Sequence, residues 1–494
     1  MRLSRGLDNL QSPIRMVRTT YAQCRCYLCA TCFSSSRLPV LVPPTNPPIT
    51  TIAIVVIVVG VDAASVEGAP AMTAADGFQI DSNIWQGTLD FRSALISLAY
   101  FHGMYTSDMT LIKQRYTAMK LHSMASFFDA DAGLLVKLAD ADCPAAWSPL
   151  AGLPKGVYEA LNPKCGDLID WPSASRDGYV SNGNNRSAVP NAYAAVALSR
   201  LAVMAGWLGD TAGQQQWQRI SSTIVASMKS QMYNPSTGNV RDGVGIEHYS
   251  LHATLFAAVA GVADGDAAMA DKLVNFIVSK GGTASCSCMG AYWLLEALYR
   301  LAVDSAAAAV AALDVITSSG KNSWLHMIQQ GATSTMEAWT PDEKPNLTWS
   351  HPWCSSPNNV LIRLLLGLQP IEPGWKRLQV VPQPASLEDV HVVAATSVGP
   401  IEVQVSQQRV GGNGDLGNLP GSNITVADAG SILVTVDVPK GSTARVCLPP
   451  AFGTELSAAR SLTLDGVTVP STVEGRLLCL ATDAGSGKHT VVRA

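Results

Sequence analysis

The feature that most constrains the fold is a series of apolar helical stretches joined by very short turns. The stretch NAYAAVALSRLAVMAGWLG (191–209) is rich in Ala, carries apolar residues on most of its faces and stops at Gly209, a residue that suits a helix end. Asp210 then offers an N-cap for a second helix that runs through Trp217 to about Met232. Because so few residues join them, the two helices must run antiparallel.

Similar pairs of helical stretches extend from about residue 85 to residue 367. They are predicted at 86–102 with 107–127, at 249–260 with 266–279, and at 289–302 with 304–318. No short exact repeat is visible among the pairs, which disfavours a solenoid. Helical hairpins in series, several of them very hydrophobic, favour a closed double layer of helices, an α/α toroid.

The sequence pattern changes after Gly374. IEVQVSQ (401–407), SILVTVDV (431–438) and LTLDGVTV (462–469) alternate apolar and polar residues with the period of a strand, and the last contains Asp465-Gly466, a tight-hairpin signal. LQPIEPGW (368–375), with two Pro and a Gly, predicts a linker. We therefore expect a multidomain, mainly α protein with a leader at 1–76, a helical domain at 77–367 and a C-terminal β-sandwich at 368–494.

The first part of the chain does not have the pattern of a domain. TIAIVVIVVGV (51–61) is too short to span a bilayer comfortably but suits the core of a signal peptide, or a signal anchor over 51–63. Glycosylation sequons follow at Asn185, Asn346 and Asn423. These features predict a secreted or membrane-anchored extracellular glycoprotein.

The cysteines fall into an N-terminal cluster and scattered positions. Cys24, Cys26, Cys29 and Cys32 lie close enough together to bind zinc, but no second cluster has zinc-ribbon spacing, so a metal site is not favoured. Cys447 and Cys479 each lie in a strand-like run and are candidates for pairing. Cys286 and Cys288 share an apolar context and are predicted to be buried thiols.

The charge balance limits the class of partner. The net charge is −4, charged residues make up 15% of the chain and hydrophobic residues 47%, and no long run of one sign occurs. Neither a nucleic-acid surface nor a polybasic membrane patch is indicated. We expect a small-molecule or neutral polymer partner, no protein partner, and no cofactor, because no nucleotide, flavin or metal motif stands out.

Three predicted loops carry the side chains that a sugar site needs. CGDLIDWPSASRDGYV (165–180) holds Asp167, Asp170, Trp171, Arg176 and Asp177; VRDGVGIEHYSLHA (240–253) holds Arg241, Asp242, Glu247, His248 and His252; GATSTMEAWTPDEKPNLTWSHPWCSSP (331–357) holds Glu337, Trp339, Trp349, His351 and Trp353. Carboxylates, Arg and His hydrogen-bond sugar hydroxyls, and Trp packs on a pyranose face. The competing interpretation is structural, with Asp as helix caps, Arg as their partners and Trp as core.

A specific family resemblance joins these stretches. DWPSASRDGYV, NAYAAVALSRLAVMAGWLG, HYSLHATLFA and the run from GATSTMEAW to KRLQVVPQP closely resemble, in this order, the catalytic domain of bacterial and fungal α-L-rhamnosidases of glycoside hydrolase family 78. The similarity covers roughly residues 81–390 and is weaker through the tail. It implies an (α/α)6 barrel followed by a β-sandwich, and removal of terminal α-L-rhamnose with inversion by a Glu acid and a Glu base.

The resemblance also implies roles for individual residues. Glu337, in TSTMEAW, matches the general base, and His351, in SHPW, matches a His that binds the sugar. Asp170 and Trp171 match a segment at the pocket mouth. Arg176, Asp177 and His248 match less closely, and Trp339 and Trp353 are expected beside Glu337 in a sugar-binding loop.

The chain departs from the family at the general acid. The motif D-C-P-x-R-x-E is absent; Asp142-Cys143-Pro144 matches its first letters, but Ala146 and Ser148 stand where the Arg and Glu belong. We therefore expect an incomplete toroid. Two interpretations stay open, a truncated gene model that lacks the general acid and a divergent protein that binds rhamnosides without cleaving them efficiently. A lyase acting on a uronic-acid polymer is a third, weaker alternative that would need a positively charged subsite.

Overall fold

The computed structural model describes residues 89–136, 169–180, 186–407, 430–454 and 461–493. The predicted leader, its cysteine cluster, the fragment Asp142-Cys143-Pro144, Asp167, and the sequons at Asn185 and Asn423 lie outside the described residues.

Paired helices fill the first part of the described chain. They are α1 (Leu89–Thr106), α2 (Thr110–His122), α3 (Ala188–Trp207), α4 (Thr211–Gln231), α5 (Leu251–Ala260), α6 (Ala267–Ser279), α7 (Gly290–Leu301), α8 (Ala306–Thr317), α9 (Trp324–Gln329) and α10 (Ser356–Val360), the last continuing into a π-helical turn, Leu361–Leu365. Each predicted helical pair is confirmed, with boundaries within a few residues of those expected.

The turn between α3 and α4 shows why these sequences form hairpins. Asp210 caps α4, because its Oδ1 accepts a hydrogen bond from the backbone N–H of Gly213 at 2.8 Å. Gly209 adopts a φ of +76°, the left-handed conformation that ends a helix and favours glycine. The second carboxylate oxygen of Asp210 accepts a hydrogen bond from Tyr116 of α2 at 2.9 Å, which ties the turn to the neighbouring pair.

Helix α3 is the centre of the helical region. It packs against α1, α4 and α5, and its Ala-rich sequence lets these neighbours approach closely, so that most of its side chains are buried. Among the described helices it is the one long and apolar enough to cross a membrane, and 78% of its most apolar stretch is buried inside the protein.

The C-terminal part consists of strands. Short strand pairs lie earlier in the chain, β1 (Phe128–Asp129) with β2 (Leu134–Leu135) and β3 (Tyr233–Asn234) with β4 (Asn239–Val240); the later strands are β5 (Leu368–Pro370), β6 (Arg377–Val380), β7 (Asp389–Thr396), β8 (Gly399–Gln407), β9 (Ile432–Val438), β10 (Thr443–Leu448), β11 (Leu462–Leu464), β12 (Val467–Val469), β13 (Ser471–Glu474), β14 (Leu477–Leu480) and β15 (Gly487–Arg493). They form one sheet in the order β13-β14-β10-β6-β5 and another in the order β12-β11-β15-β9-β8-β7.

Two sequence predictions for this region are confirmed and one is wrong. Asp465 and Gly466 form the β11–β12 hairpin turn, with φ values of +51° and +82°. Cys447 and Cys479 face each other on β10 and β14 and form a disulfide. The stretch 368–375 is not a free linker, because Leu368–Pro370 pairs with Arg377–Val380 as the edge of the five-stranded sheet.

The strands also contact the end of α7. The guanidinium of Arg476 donates to the carbonyl of Ala302 at 3.1 Å, and its backbone N–H donates to the carbonyl of Val303 at 2.9 Å. Helix ends leave carbonyls unpaired, so the β13–β14 turn serves as a cap for α7. A Cβ at Gly475 would come within 2.4 Å of the Val303 oxygen, which shows how closely this turn approaches.

Candidate active site

Residues 331–355, called the site loop below, contain no helix or strand among their described positions apart from a 3-10 turn at Pro352–Cys354. Indole groups fix this irregular segment. Trp339 Nε1 donates to the carbonyl of Cys286 at 2.9 Å, and Trp353 Nε1 donates to the carbonyl of Glu337 at 2.9 Å. These bonds satisfy backbone carbonyls that regular secondary structure would otherwise pair.

The carboxylate of Glu337 is held from both oxygens. Oε2 accepts hydrogen bonds from the backbone N–H of Thr348 at 2.9 Å and from its hydroxyl at 3.2 Å, while Oε1 lies 3.1 Å from Nζ of Lys344. Burial raises the pKa of this carboxyl, but the bonds from Thr348 and the charge of Lys344 outweigh burial, and the pKa lies below its ordinary value. Glu337 is therefore ionised at neutral pH.

The imidazole of His351 joins the same cluster through Thr348. Its Nδ1 lies 2.9 Å from the Thr348 hydroxyl, and its ring lies 4.3 Å from the ring of Trp353. A hydroxyl has one proton, so the Thr348 group that donates to Glu337 must accept from the N–H at Nδ1 of His351. Burial lowers the pKa of His351, and the neutral ring then offers Nε2 as an acceptor.

Asp170 is a buried structural carboxylate and does not lie at a pocket mouth. Its Oδ2 is 2.8 Å from Nε2 of His252 and accepts from the backbone N–H of Ser287 at 2.9 Å; its Oδ1 accepts from the Ser287 hydroxyl and from the N–H of Trp171 at 2.8 Å. Its side chain is fully buried. The sequence prediction of its position is therefore corrected: Asp170 ties together three segments from beneath the surface.

The residues that follow Asp170 reach the start of α5. Arg176 Nε donates to the carbonyl of Asp170 at 2.8 Å, and Trp171 is half-buried. Asp177 accepts from the N–H of Leu251 at 2.7 Å and pairs with Lys280 at 2.9 Å. Asp177 thus caps the first turn of α5 and already has a cationic partner.

His248 is oriented by a buried carboxylate. Its Nδ1 lies 2.6 Å from Oδ2 of Asp242, which is fully buried and also accepts from the N–H groups of Val180 and Ser250. The side chain of His248 is 39% exposed, and its Nε2 lies near Gly178. A buried Asp behind one ring nitrogen fixes the orientation and the tautomer of the imidazole.

The structure brings only some of the predicted residues together. Glu337, His351 and Trp353 form one contiguous cluster. Asp170 reaches it indirectly, because Ser287 precedes Cys288, whose Sγ lies 3.4 Å from the carbonyl oxygen of Glu337. Arg176, Asp177 and His248 belong to the neighbouring patch at the start of α5.

Trp339 lies in the core of the described structure. It is fully buried, and its ring packs edge-on against Trp324 at 5.2 Å between centroids. Sugar binding by Trp339 stays a prediction that this burial does not support; in an irregular segment no periodicity separates the Trp that faces inward from those that face outward. Trp349, by contrast, is 48% exposed.

Several contacts around Glu337 and His248 were missed by sequence reasoning. The contacts from Lys344 and Thr348 come from within the site loop. The only sequence signal that included Thr348 was the glycosylation sequon at Asn346. The sequence places Asp242 in a predicted loop but does not indicate its contact with His248. Cys288 was predicted to be a thiol and forms a disulfide with Cys354, whereas Cys286 is a buried free thiol as predicted.

Comparison with known proteins gives a domain match for the part of the chain that holds the candidate site. Residues 157–365, which include all the predicted site residues, match the bacterial α-L-rhamnosidase six-hairpin glycosidase domain. No curated protein matches the chain.

Several solved structures are similar to the chain, and the one with a TM-score above 0.5 shows a shared fold. The α-L-rhamnosidase from Dictyoglumus thermophilum is 13% identical, with a TM-score of 0.54 over 82% of this chain and 39% of that one. The enzyme from Aspergillus terreus is 16% identical, with a TM-score of 0.49 over 81% of this chain and 38% of that one. The Streptomyces avermitilis enzyme, solved with L-rhamnose, is 16% identical, with a TM-score of 0.49 over 86% of this chain and 41% of that one.

The chain therefore spans about two fifths of the length of these solved rhamnosidases. The domain match covers all the described residues of the candidate site. These findings show that residues 157–365 are similar to the bacterial α-L-rhamnosidase six-hairpin glycosidase domain and that the chain shares the fold of the Dictyoglumus thermophilum structure.

Proposed function

We propose that the protein removes terminal, non-reducing α-L-rhamnose from a rhamnose-containing glycoside or polysaccharide with inversion, and that Glu337 is the general base. The observation that carries the proposal is the ionised carboxylate of Glu337, held by Thr348 and Lys344 beside His351. An inverting glycosidase needs a carboxylate that takes a proton from the attacking water. A carboxylate has about four lone-pair sites, so Glu337 keeps acceptor capacity beyond these contacts.

The neighbouring side chains suit the substrate class. Trp353 and His351 pack together, and Trp349 is exposed on the same loop, which provides flat aromatic surface for the apolar face of a sugar ring. Nε2 of His351 accepts a hydrogen bond from a sugar hydroxyl in this proposal. His248 and Trp171 would contact the substrate from the adjoining patch.

The finer architecture and the location of the protein are part of the same proposal. We propose that the helical pairs belong to an incomplete (α/α)6 toroid at 77–367 and that the two sheets form a β-sandwich at 368–494. We also propose an extracellular location, supported by two disulfides and by the exposed sequon residue Asn346. Mass spectrometry of the chain from a eukaryotic secretory host tests this: a glycan at Asn346 supports it, and an intracellular product with unmodified sequons contradicts it.

Hydrolysis of an aryl α-L-rhamnoside by the full chain tests the activity. The aryl group leaves with little acid assistance, so loss of the base alone is visible. We expect Glu337→Gln to lower kcat by about 10² or more. The matched control is Asp342→Asn on the same loop, a carboxylate that is 85% exposed and pairs only weakly with Lys321.

The anomeric form of the first product tests the stereochemistry. Proton NMR at early times should show β-L-rhamnose before mutarotation. Rhamnose binding by the wild-type chain without turnover would contradict the proposed activity. Equal losses of kcat in Glu337→Gln and Asp342→Asn would contradict the proposed base.

A further inference from the structure

The site loop is closed by hydrogen bonds between its own residues. Within it, the N–H of Glu337 donates to the carbonyl of Thr348 at 3.0 Å, and the N–H of His351 donates to the carbonyl of Thr335 at 2.7 Å. These two bonds close the loop on itself but do not attach it to a helix. Its position in the protein therefore depends on contacts with other segments.

One attachment is covalent. Cys354, near the end of the site loop, forms a disulfide with Cys288, two residues before α7, with a Cα–Cα distance of 5.0 Å. Both cysteines are fully buried. Trp324 Nε1 donates to the carbonyl of Cys354 at 2.7 Å, so the backbone at this end is held by α9 as well.

The partner half of the disulfide lies directly against the residue that carries the carboxylate. Sγ of Cys288 is 3.4 Å from the carbonyl oxygen of Glu337 and 3.7 Å from that of Met336. The preceding residue, Ser287, is fixed to the buried carboxylate of Asp170 through both its backbone N–H and its hydroxyl. Cys288 is thus held in place, contacts the site loop at the Glu337 carbonyl and is covalently bonded to Cys354, three residues after His351.

We propose that the Cys288–Cys354 disulfide is a positioning element of the active site, which holds Glu337 and His351 at their working separation. The inference rests on the proposed function for its catalytic consequence, whereas the ordering of the loop is independent of it. Without the bond, the hydrogen bond from Trp339 to the Cys286 carbonyl remains, but the covalent attachment beside α7 is lost, and the contacts of Thr348 and Lys344 with Glu337 open more often. Glu337 and His351 then move relative to the patch at the start of α5 that holds His248.

The chain provides a matched control in its other disulfide. Cys447 and Cys479 join β10 and β14, strands that are already paired by backbone hydrogen bonds. That bond lies in the five-stranded sheet, and no residue of the site loop is part of this sheet. Its removal affects stability without affecting the position of Glu337.

The experiment compares Cys288→Ala/Cys354→Ala with Cys447→Ala/Cys479→Ala in the full chain. Hydrogen exchange by mass spectrometry reports the amides of Glu337 and His351. We expect exchange in residues 331–355 to quicken on the order of tenfold or more in the first variant and to stay unchanged in the second. In the first variant we also expect a lower kcat on an aryl α-L-rhamnoside and an acid limb of kcat/KM at higher pH, because Thr348 and Lys344 no longer hold Glu337 steadily.

The outcomes separate this inference from the proposed function. Faster exchange in the first variant without any hydrolysis by the wild-type chain supports the attachment and contradicts the proposed activity. Unchanged exchange and an unchanged acid limb in the first variant overturn the inference, as does disulfide mapping that finds free thiols at both positions in secreted protein. If the first variant does not fold, the Cys447→Ala/Cys479→Ala variant, which keeps the Cys288–Cys354 bond, is compared before and after reduction and alkylation and gives the same readouts.

Discussion

Nζ of Lys344 lies 3.1 Å from Oε1 of Glu337, and the two side chains are 19% and 12% exposed. This ion pair is the only charged contact of the Glu337 carboxylate among the described residues, and it engages the oxygen that Thr348 leaves free. The proposed base is therefore kept ionised by a partner from its own loop. We expect loss of Lys344 to shift the pH dependence of kcat/KM more than it lowers the activity at neutral pH.

Replacement of Lys344 by Met tests this relationship. Lys344 lowers the pKa of Glu337, so its loss moves that pKa upward toward the ordinary value. A base must be ionised, so we expect the acid limb of kcat/KM to move to higher pH, with a loss of less than about tenfold near neutrality. Lys321→Met is the control, because Lys321 is exposed and pairs with exposed Asp342 at 3.4 Å. An unmoved acid limb in Lys344→Met would show that the pair does not tune the base.

The same carboxylate links folding stability to pH. Its folded-state pKa lies below its ordinary value of 4.5, so it contributes stability above that pH, and this contribution is lost as the pH falls through the folded pKa. Because Glu337 is mostly buried, its loss should be visible in urea unfolding as a smaller difference between neutral and acidic pH in Glu337→Gln than in wild type. Equal pH dependence in both proteins would mean that other carboxylates dominate.

Thr348 should act through its hydroxyl and not through its size. Replacement by Val keeps the shape and the backbone N–H but removes the group between Glu337 and His351, which costs about 0.5–1.5 kcal/mol per hydrogen bond. We expect Thr348→Val to lower kcat/KM by about tenfold and Thr348→Ser to retain most of it. Steady-state kinetics of the two variants decides the point, and similar losses in both would indicate that the methyl group matters instead.

Substitutions of Trp339 and Trp353 should have different effects, the first on stability and the second on KM. Truncation of fully buried Trp339 to Ala removes a core side chain, for which a cost of about 3–5 kcal/mol is expected. Trp353→Phe keeps an aromatic ring beside His351 but loses the hydrogen bond to the Glu337 carbonyl, so we expect a raised KM with a smaller change in unfolding free energy. Chemical denaturation and kinetics measure both. A raised KM with normal stability for a mild variant, Trp339→Phe, would return Trp339 to the sugar-binding surface.

Asp170→Asn should destabilise the protein. The carboxylate accepts hydrogen bonds from Ser287 and Trp171, and an amide nitrogen in place of one oxygen leaves at least one buried donor without an acceptor. A cost of about 1–3 kcal/mol is expected. Asp342→Asn, an exposed change of the same kind, should cost almost nothing. Wild-type stability with lost activity would assign Asp170 a direct chemical role.

The helical pairs were predictable because their signals are local. Asp210 caps α4 where the sequence places an N-cap, and Gly209 ends the preceding helix with the left-handed φ that glycine favours. The β11–β12 turn follows from Asp465-Gly466, and the Cys447–Cys479 pair from two strand-like runs. In each case a few neighbouring residues determine the local conformation.

The arrangement of the candidate site was only partly predictable. The resemblance singled out Glu337 and His351, but their shared contact with Thr348 depends on how an irregular loop folds back. Cys288 and Cys354 are 66 residues apart, and spacing of that length does not indicate a pairing. Whether Asp170 faced a ligand or the core could not be decided either, because the buried partners that bind it come from distant segments.

Helix α7 is held by different parts of the chain at its two ends. The helix begins two residues after Cys288, which is bonded to the site loop. At the other end, Arg476 from the β13–β14 turn donates to the carbonyl of Ala302, the residue after the helix. The helix between these two contacts is about 18 Å long. The helix therefore connects the loop that carries the proposed catalytic carboxylate to the C-terminal sheets. Shortening the protein to its helical part by a cut after residue 367 should therefore loosen the candidate site by removing the contacts at the far end of α7.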